Sequence, residues 1–326
     1  FFDYESRGAN ITRLIEGPDG NLYGGTSHPM QFFRLPPETG ELHNFGGIDR
    51  VGGGNFPAYV VANEKLYGTA YLGGHLYEFD VRAEWTGAEG TNPNPRYIES
   101  YSQQIGRPRV MRRRDQTLII GGFPGYGIVG GGLVFHDLES GASTLVPNQE
   151  LVRGHSTVAV RILPDGNIIA GTSIAAPGGA QPIAGEAIIY MLDGSSREVA
   201  FQTHPIEGAA EIPALELGPN GQVFGLTGGG MLFTFDPETK AVGQTIDLSK
   251  YGSDVGTDQS LRVTKNGRLL ALMTEGIVTL NPETLEVVEE VQPPGEITTG
   301  TGLIGGDLFF SSGVNVWSYD LDGCQN

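Results

Sequence analysis

One short pattern recurs seven times along the chain: a turn, then two or three apolar residues, then small ones. The copies read "DGNLYGGTS", "NEKLYGTAY", "DQTLIIGGF", "DGNIIAGTS", "NGQVFGLTG", "NGRLLALMT" and "GGDLFFSSG". The apolar residue after each turn falls at Leu22, Leu66, Leu118, Ile168, Val223, Leu269 and Leu308, at intervals of 39 to 55 residues. A repeated unit of this size cannot bury its apolar face alone, so copies must pack against one another. Irregular spacing of about 40 to 50 residues, with alternation in place of helical periodicity, suits the blades of a β-propeller and not a helical solenoid.

Each pattern is preceded by one apolar strand and followed by another that ends in a second turn. The following strands are "FFRLPPETG", "HLYEFD", "LVFHDLESG", "IIYMLDGS", "MLFTFDPETK", "IVTLNPET" and "NVWSYDLDG". Proline and polar residues at their ends mark a reversal into a further strand. The expectation is therefore an all-β, seven-bladed propeller with four-stranded blades, a single domain over residues 1–326. The 51 glycines agree with this, being about twice the usual share of roughly 7%. The last unit runs out after "NVWSYDLDG", while "FFDYES" precedes the first inner strand. Phe1 to Ser6 are expected to pair with the C-terminal blade and close the ring, since an open ring would leave an exposed edge.

The formal charge of −18, from 20 basic and 38 acidic residues, opposes contact with nucleic-acid phosphates. Cys324 is the only cysteine, so neither a disulfide framework nor a thiolate cluster is available. No apolar run approaches the ~20 residues that span a bilayer. An opening at Phe1 without methionine fits a processed chain, and the expected location is extracellular or periplasmic. No His-x-x-x-His or Cys-x-x-Cys pair and no complete calcium loop occurs, so no cofactor and no catalytic metal is expected, a structural calcium ion being left open. A monomer is expected.

In a propeller, the loops from strand b to c and from strand d to the next strand a share one face around the axis. Non-hydrophobic residues at those loops give His28 in "SHPM", Tyr71 and His75 in "AYLGGH", Tyr126 in "FPGYG", Arg107 and Arg109 in "GRPRV", Arg153 and His155 in "RGHST", Glu211, and Asp258 in "TDQS". Imidazoles titrate near neutrality, arginine neutralises a carboxylate bidentately, and tyrosine donates to a leaving oxygen. Together they suit proton abstraction beside a uronate. Glu211 and Asp258, at the starts of neighbouring inner strands, offer the alternative of a hydrolytic carboxylate pair. The bland alternative is that these groups cap blade ends in a binding propeller.

The pattern around His75, "GTAYLGGHLYEFD", with "PGYGIVGGGLVFHDLESG" and "LPDGNIIAGTSI", resembles seven-bladed ulvan lyases and the rhamnose-glucuronate lyases and related rhamnosidases. That resemblance implies β-elimination on a uronate-containing saccharide, with His75 as the first histidine. Arg107 stands where the second histidine is expected, and His155 where a tyrosine is expected. His75 and His155 would then be base and acid and Arg107 the neutraliser. His28, Tyr71, Tyr126, Arg109, Arg153, Glu211 and Asp258 would line the substrate pocket.

Overall fold

The computed structural model describes residues 8–48, 54–88 and 90–321. Over these residues the chain is an all-β ring of seven antiparallel sheets, each running in chain order from strand a to strand d. The innermost strands, a, are Asn10–Glu16, Asn55–Ala62, Arg107–Arg114, Ser156–Ile162, Ala214–Leu217, Leu261–Val263 and Thr299–Ile304. Six sheets have four strands. The seventh has three among the described residues, ending at Asn315–Asp320. Among the described residues, helix is confined to two three-residue 3-10 turns, Asn148–Glu150 and Ser249–Tyr251.

The recurring pattern is strand b in every blade, and its chemistry explains why. In the first turn Gly20 takes φ +78°, where a side chain would be strained. Asp19 accepts from Asn21 Nδ2 at 2.7 Å and from the Tyr23 hydroxyl at 2.8 Å. Asp165 and Asn167 repeat the same bond at 2.7 Å. The small residue that follows has a packing role. A Cβ on Gly24 would lie 2.4 Å from the Phe33 ring, and one on Gly225 would lie 2.1 Å from the Phe233 ring. These glycines let an aromatic ring of strand c lie flat over strand b.

The core is a series of layers between adjacent blades, not one central mass. One layer joins blades 3 and 4 through Val110, Ile119, Phe135, Val160, Ile168 and Tyr190. Another, rich in rings, joins blades 1 and 2 through Tyr23, Phe32, Phe56, Tyr59 and Phe79, with Phe32 and Phe79 stacked at 4.6 Å.

The ring also closes upon itself. Ile11, Leu14, Leu22 and Phe33 of blade 1 share a core with Phe309 of blade 7, and the Ile11 amide donates to the Gly313 carbonyl at 2.9 Å. The closing strand expected from Phe1 to Ser6 lies outside the described residues.

Candidate functional site at the propeller mouth

At the b–c and d–a loop face, blades 2 and 3 bring together Tyr71, Arg107 and Tyr126. Tyr71 ends strand b of blade 2 and Arg107 opens strand a of blade 3, where a bulge between Gly121 and Gly122 shifts the register. A Cβ on Gly122 would sit 2.3 Å from the Arg107 carbonyl oxygen, so this glycine lets the strand pass. The Arg107 guanidinium lies 4.4 Å from the Tyr126 ring centroid and 5.5 Å from that of Tyr71. The two hydroxyls are 3.4 Å apart. That contact, with partial burial, raises the pKa of Tyr71 from its ordinary value. Arg107 donates to the Pro124 carbonyl at 3.2 Å, and no carboxylate pairs with it among the described residues. Tyr126 is 63% exposed.

Two residues along the same strand, Arg109 reaches to blade 5. It donates to Glu211 Oε1 at 2.8 Å and to the Gly256 carbonyl at 2.9 Å, with its guanidinium 5.4 Å from the Phe123 centroid. The other Glu211 oxygen accepts from Ser173 at 3.2 Å. Next to this pair sits Asp254, buried, bonded by the Ser260 hydroxyl and by the Gly256 amide at 2.5 Å. Burial is the main force pushing its carboxyl up to about 7; the Glu211 charge adds to it and Arg109 opposes it. Sequence inspection did not single out Asp254, because "YGSDVG" carries no repeat signal.

The histidines expected to act as base and acid have separate surroundings. His75 opens strand c of blade 2, its ring 5.7 Å from that of Tyr97, its Nδ1 buried and unpartnered. Burial lowers its pKa. His155 is buried with Nε2 2.9 Å from the Glu186 carbonyl oxygen and Nδ1 3.2 Å from that of Arg153. Both ring nitrogens thus meet carbonyl oxygens, and neither is open to a ligand. The contacts of each ring run to its own blade, and none joins the two. The Arg153 side chain is exposed, and its carbonyl is what meets His155. His28 is exposed at φ +51°. It borders a groove of about 380 Å³ lined by Ile11, Phe33, Leu42 and Val314, at the seam of blades 1 and 7.

Asp258 corrects the expected acid pair. It is 1% exposed and forms ion pairs with Arg13 and Arg112, while Glu211 pairs with Arg109. Its carboxylate is held down to about 2 against the opposing cost of burial by Arg112, Arg13 and Arg161. Asp258 therefore faces the axis and not the mouth. The neighbour of Glu211 is Asp254 instead.

Arg112, Arg161, Glu216 and Arg262 occupy one register of the inner strands of blades 3 to 6, each opposite the second residue of its strand b pattern, and Arg13 lies two residues nearer the mouth in blade 1. Its sequence signal was a charge flanked by apolar residues in "TVAVRIL", "PALELG" and "SLRVT".

Larger hollows lie elsewhere. One of about 450 Å³ is made by turn residues Asp165, Asn220, Asp236 and Glu238. No cluster of three or more histidine, cysteine or acidic residues fit to hold a metal occurs among the described residues, and no helix is long and apolar enough to cross a membrane.

No protein family and no curated protein matches this sequence. Solved structures do. The WD40 β-propeller domain of Doa1 superposes with a TM-score of 0.66 at 11% identity, over 96% of this chain and 93% of that one. The extracellular domain of a protein described as a one-component system, BT4673 of B. thetaiotaomicron, gives 0.69 at 14% identity. That match covers 97% of this chain and 39% of the other, so the chain spans well under half of that structure's length. Neither of these two is described as a lyase or a rhamnosidase. At such identity the likeness speaks for architecture alone, and by that architecture the chain is a seven-bladed β-propeller.

Proposed function

We propose that the protein is a binding propeller whose mouth takes an acidic saccharide, with Arg107 as the receptor for a uronate carboxylate. The observation that carries this reading is the placement of Arg107 between Tyr71 and Tyr126 with no carboxylate partner among the described residues. Aromatic faces hold a guanidinium in one orientation without cancelling its charge, and its planar fork matches a carboxylate. The exposed Tyr126 ring offers an apolar face to the sugar. In a chain of net charge −18, Arg107 is a local attraction for an anion that the whole protein would otherwise repel, whereas the charge of Arg109 is met by Glu211.

The likeness to an extracellular domain of a one-component system is in keeping with recognition outside the cytoplasm. Uronate cleavage by His75 and His155 is disfavoured because both nitrogens of His155 meet carbonyl oxygens. A catalytic reading moves instead to Asp254 and Glu211, where a carboxyl titrating near neutrality lies beside a second acid and Arg109.

Calorimetric titration with di- to tetrasaccharides of glucuronate or galacturonate, against neutral glucose and galactose analogues, tests the binding reading. Binding of the uronates alone, lost in Arg107→Ala, supports it. Equal affinity for neutral sugars, or no loss in Arg107→Ala, overturns it. Unsaturated products or new reducing ends in the same mixtures would replace binding by catalysis.

A further inference from the structure

The axis of the ring holds more positive charge than its acids balance. Four arginines, Arg13, Arg112, Arg161 and Arg262, meet two buried or part-buried carboxylates, Asp258 and Glu216, and the exposed Glu16 at the end of the blade 1 inner strand acts on Arg262 from outside. Asp258 is shared by Arg13 and Arg112. Glu216 pairs with Arg161 at 2.8 Å. The Arg262 Nε donates to the Thr301 hydroxyl at 3.2 Å and forms no ion pair among the described residues. Arg112 and Arg161 both donate to one oxygen, the Asp258 carbonyl, at 3.1 and 3.2 Å. Two guanidinium groups are thus crowded together at a single acceptor.

One unused donor points the same way. Arg13 is 1% exposed, and its Nε has no hydrogen-bond partner among the described residues. An uncompensated charge in a protein interior is unfavourable, and so is a buried hydrogen bond left unmade. The crowding is felt by Arg112, whose pKa is pushed down to about 9 by burial first and by Arg161 next.

We propose that this arginine ring is a binding site for a small monovalent inorganic anion, of halide size, held on the propeller axis independently of the mouth. A halide accepts from several N–H donors without directional demand, which suits donors arriving from different blades. It would offset part of the charge excess and pin blades 1, 3, 4 and 6 to a common centre. The acidic surface makes this selective, because larger polyanions meet repulsion before they reach the axis.

The test uses the whole protein. Sodium methanesulfonate is replaced stepwise by sodium bromide at constant ionic strength while melting is followed, and crystals grown in bromide are examined by anomalous scattering. A rise in Tm that grows with the logarithm of bromide above its Kd is expected, about 2–4 °C at a hundredfold excess, with an anomalous peak within the ring of Arg13, Arg112, Arg161 and Arg262. In Arg262→Gln the bromide concentration giving the same rise above the variant's own baseline should increase at least tenfold. A flat melt in wild type, or bromide peaks confined to the surface, overturns the proposal whether or not the variant folds. Saccharide titrations are a separate readout, so failure of the mouth reading would leave this one standing.

Discussion

Arg109 of blade 3 bridges the mouth to Glu211 of blade 5 at 2.8 Å, with both side chains about a quarter exposed. Such a span ties the inner strands of non-adjacent blades and fixes the width of the opening. Because water still reaches the pair, its worth is modest, about 0.5–1 kcal/mol. Arg109→Met and Glu211→Gln, alone and combined, should give a coupling of that size in urea melts. Zero coupling would mean that the bridge does not hold the mouth.

Removing the aromatic cradle should weaken ligand capture without unfolding the protein. Tyr126→Ala is expected to reduce uronate affinity about tenfold, and Tyr126→Phe only slightly, because the ring face and not the hydroxyl orients Arg107. Tm should move by less than about 1 °C, since Tyr126 is exposed. A large loss in Tyr126→Phe would assign the role to the hydroxyl.

Asp254 sets a pH dependence whose sign follows from its raised pKa. Its folded value is about 7 and its ordinary value 3.8. The folded state therefore holds this proton more tightly, and stability from this group falls as pH rises from about 4 through 7. Asp258 and Glu78, both lowered to about 2, act oppositely: their contribution is present above about 4 and is lost as pH falls toward 2. His75 and His136 are lowered by burial, so their contribution is present above about 6.5 and lost below it. The difference between wild type and Asp254→Asn isolates the first effect. The variant should gain relative stability between pH 5 and 8, on the order of 1–4 kcal/mol. A pH-independent difference would place the proton elsewhere.

Asp258→Asn should be among the most damaging single changes in the ring. It leaves Arg13 and Arg112 buried without their shared counter-charge, a loss of about 3–5 kcal/mol. Chemical denaturation measures it. A change below about 1 kcal/mol would show that the axial pairs contribute little to stability.

Gly225→Ala places a methyl group 2.1 Å from the Phe233 ring and should cost about 1–3 kcal/mol through overpacking. Phe233→Leu in the same chain should recover part of it. If the double variant is as unstable as the sum of the singles, the clash is not with that ring.

The seven-blade architecture was legible in the sequence because each blade repeats local chemistry: Asp19 or Asp165 bonding its own turn, then Leu22 or Ile168, then a glycine or alanine under an aromatic or aliphatic neighbour. Such interactions span a few residues or one hairpin, so the pattern alone specifies them. Loop position likewise placed Tyr71, Arg107 and Tyr126 on one face. What only the tertiary structure decided was which long-range partners each polar side chain meets. Asp258 follows the same kind of loop as Glu211, yet Arg13, 245 residues away, and Arg112 hold it on the axis. His155 is consumed by the carbonyls of Arg153 and Glu186. Asp254 gains its raised pKa from a burial that its own neighbours do not announce. Turn and strand propensities act within a blade and repeat, whereas charges converge across the ring, where partners are set by closure and by no local pattern.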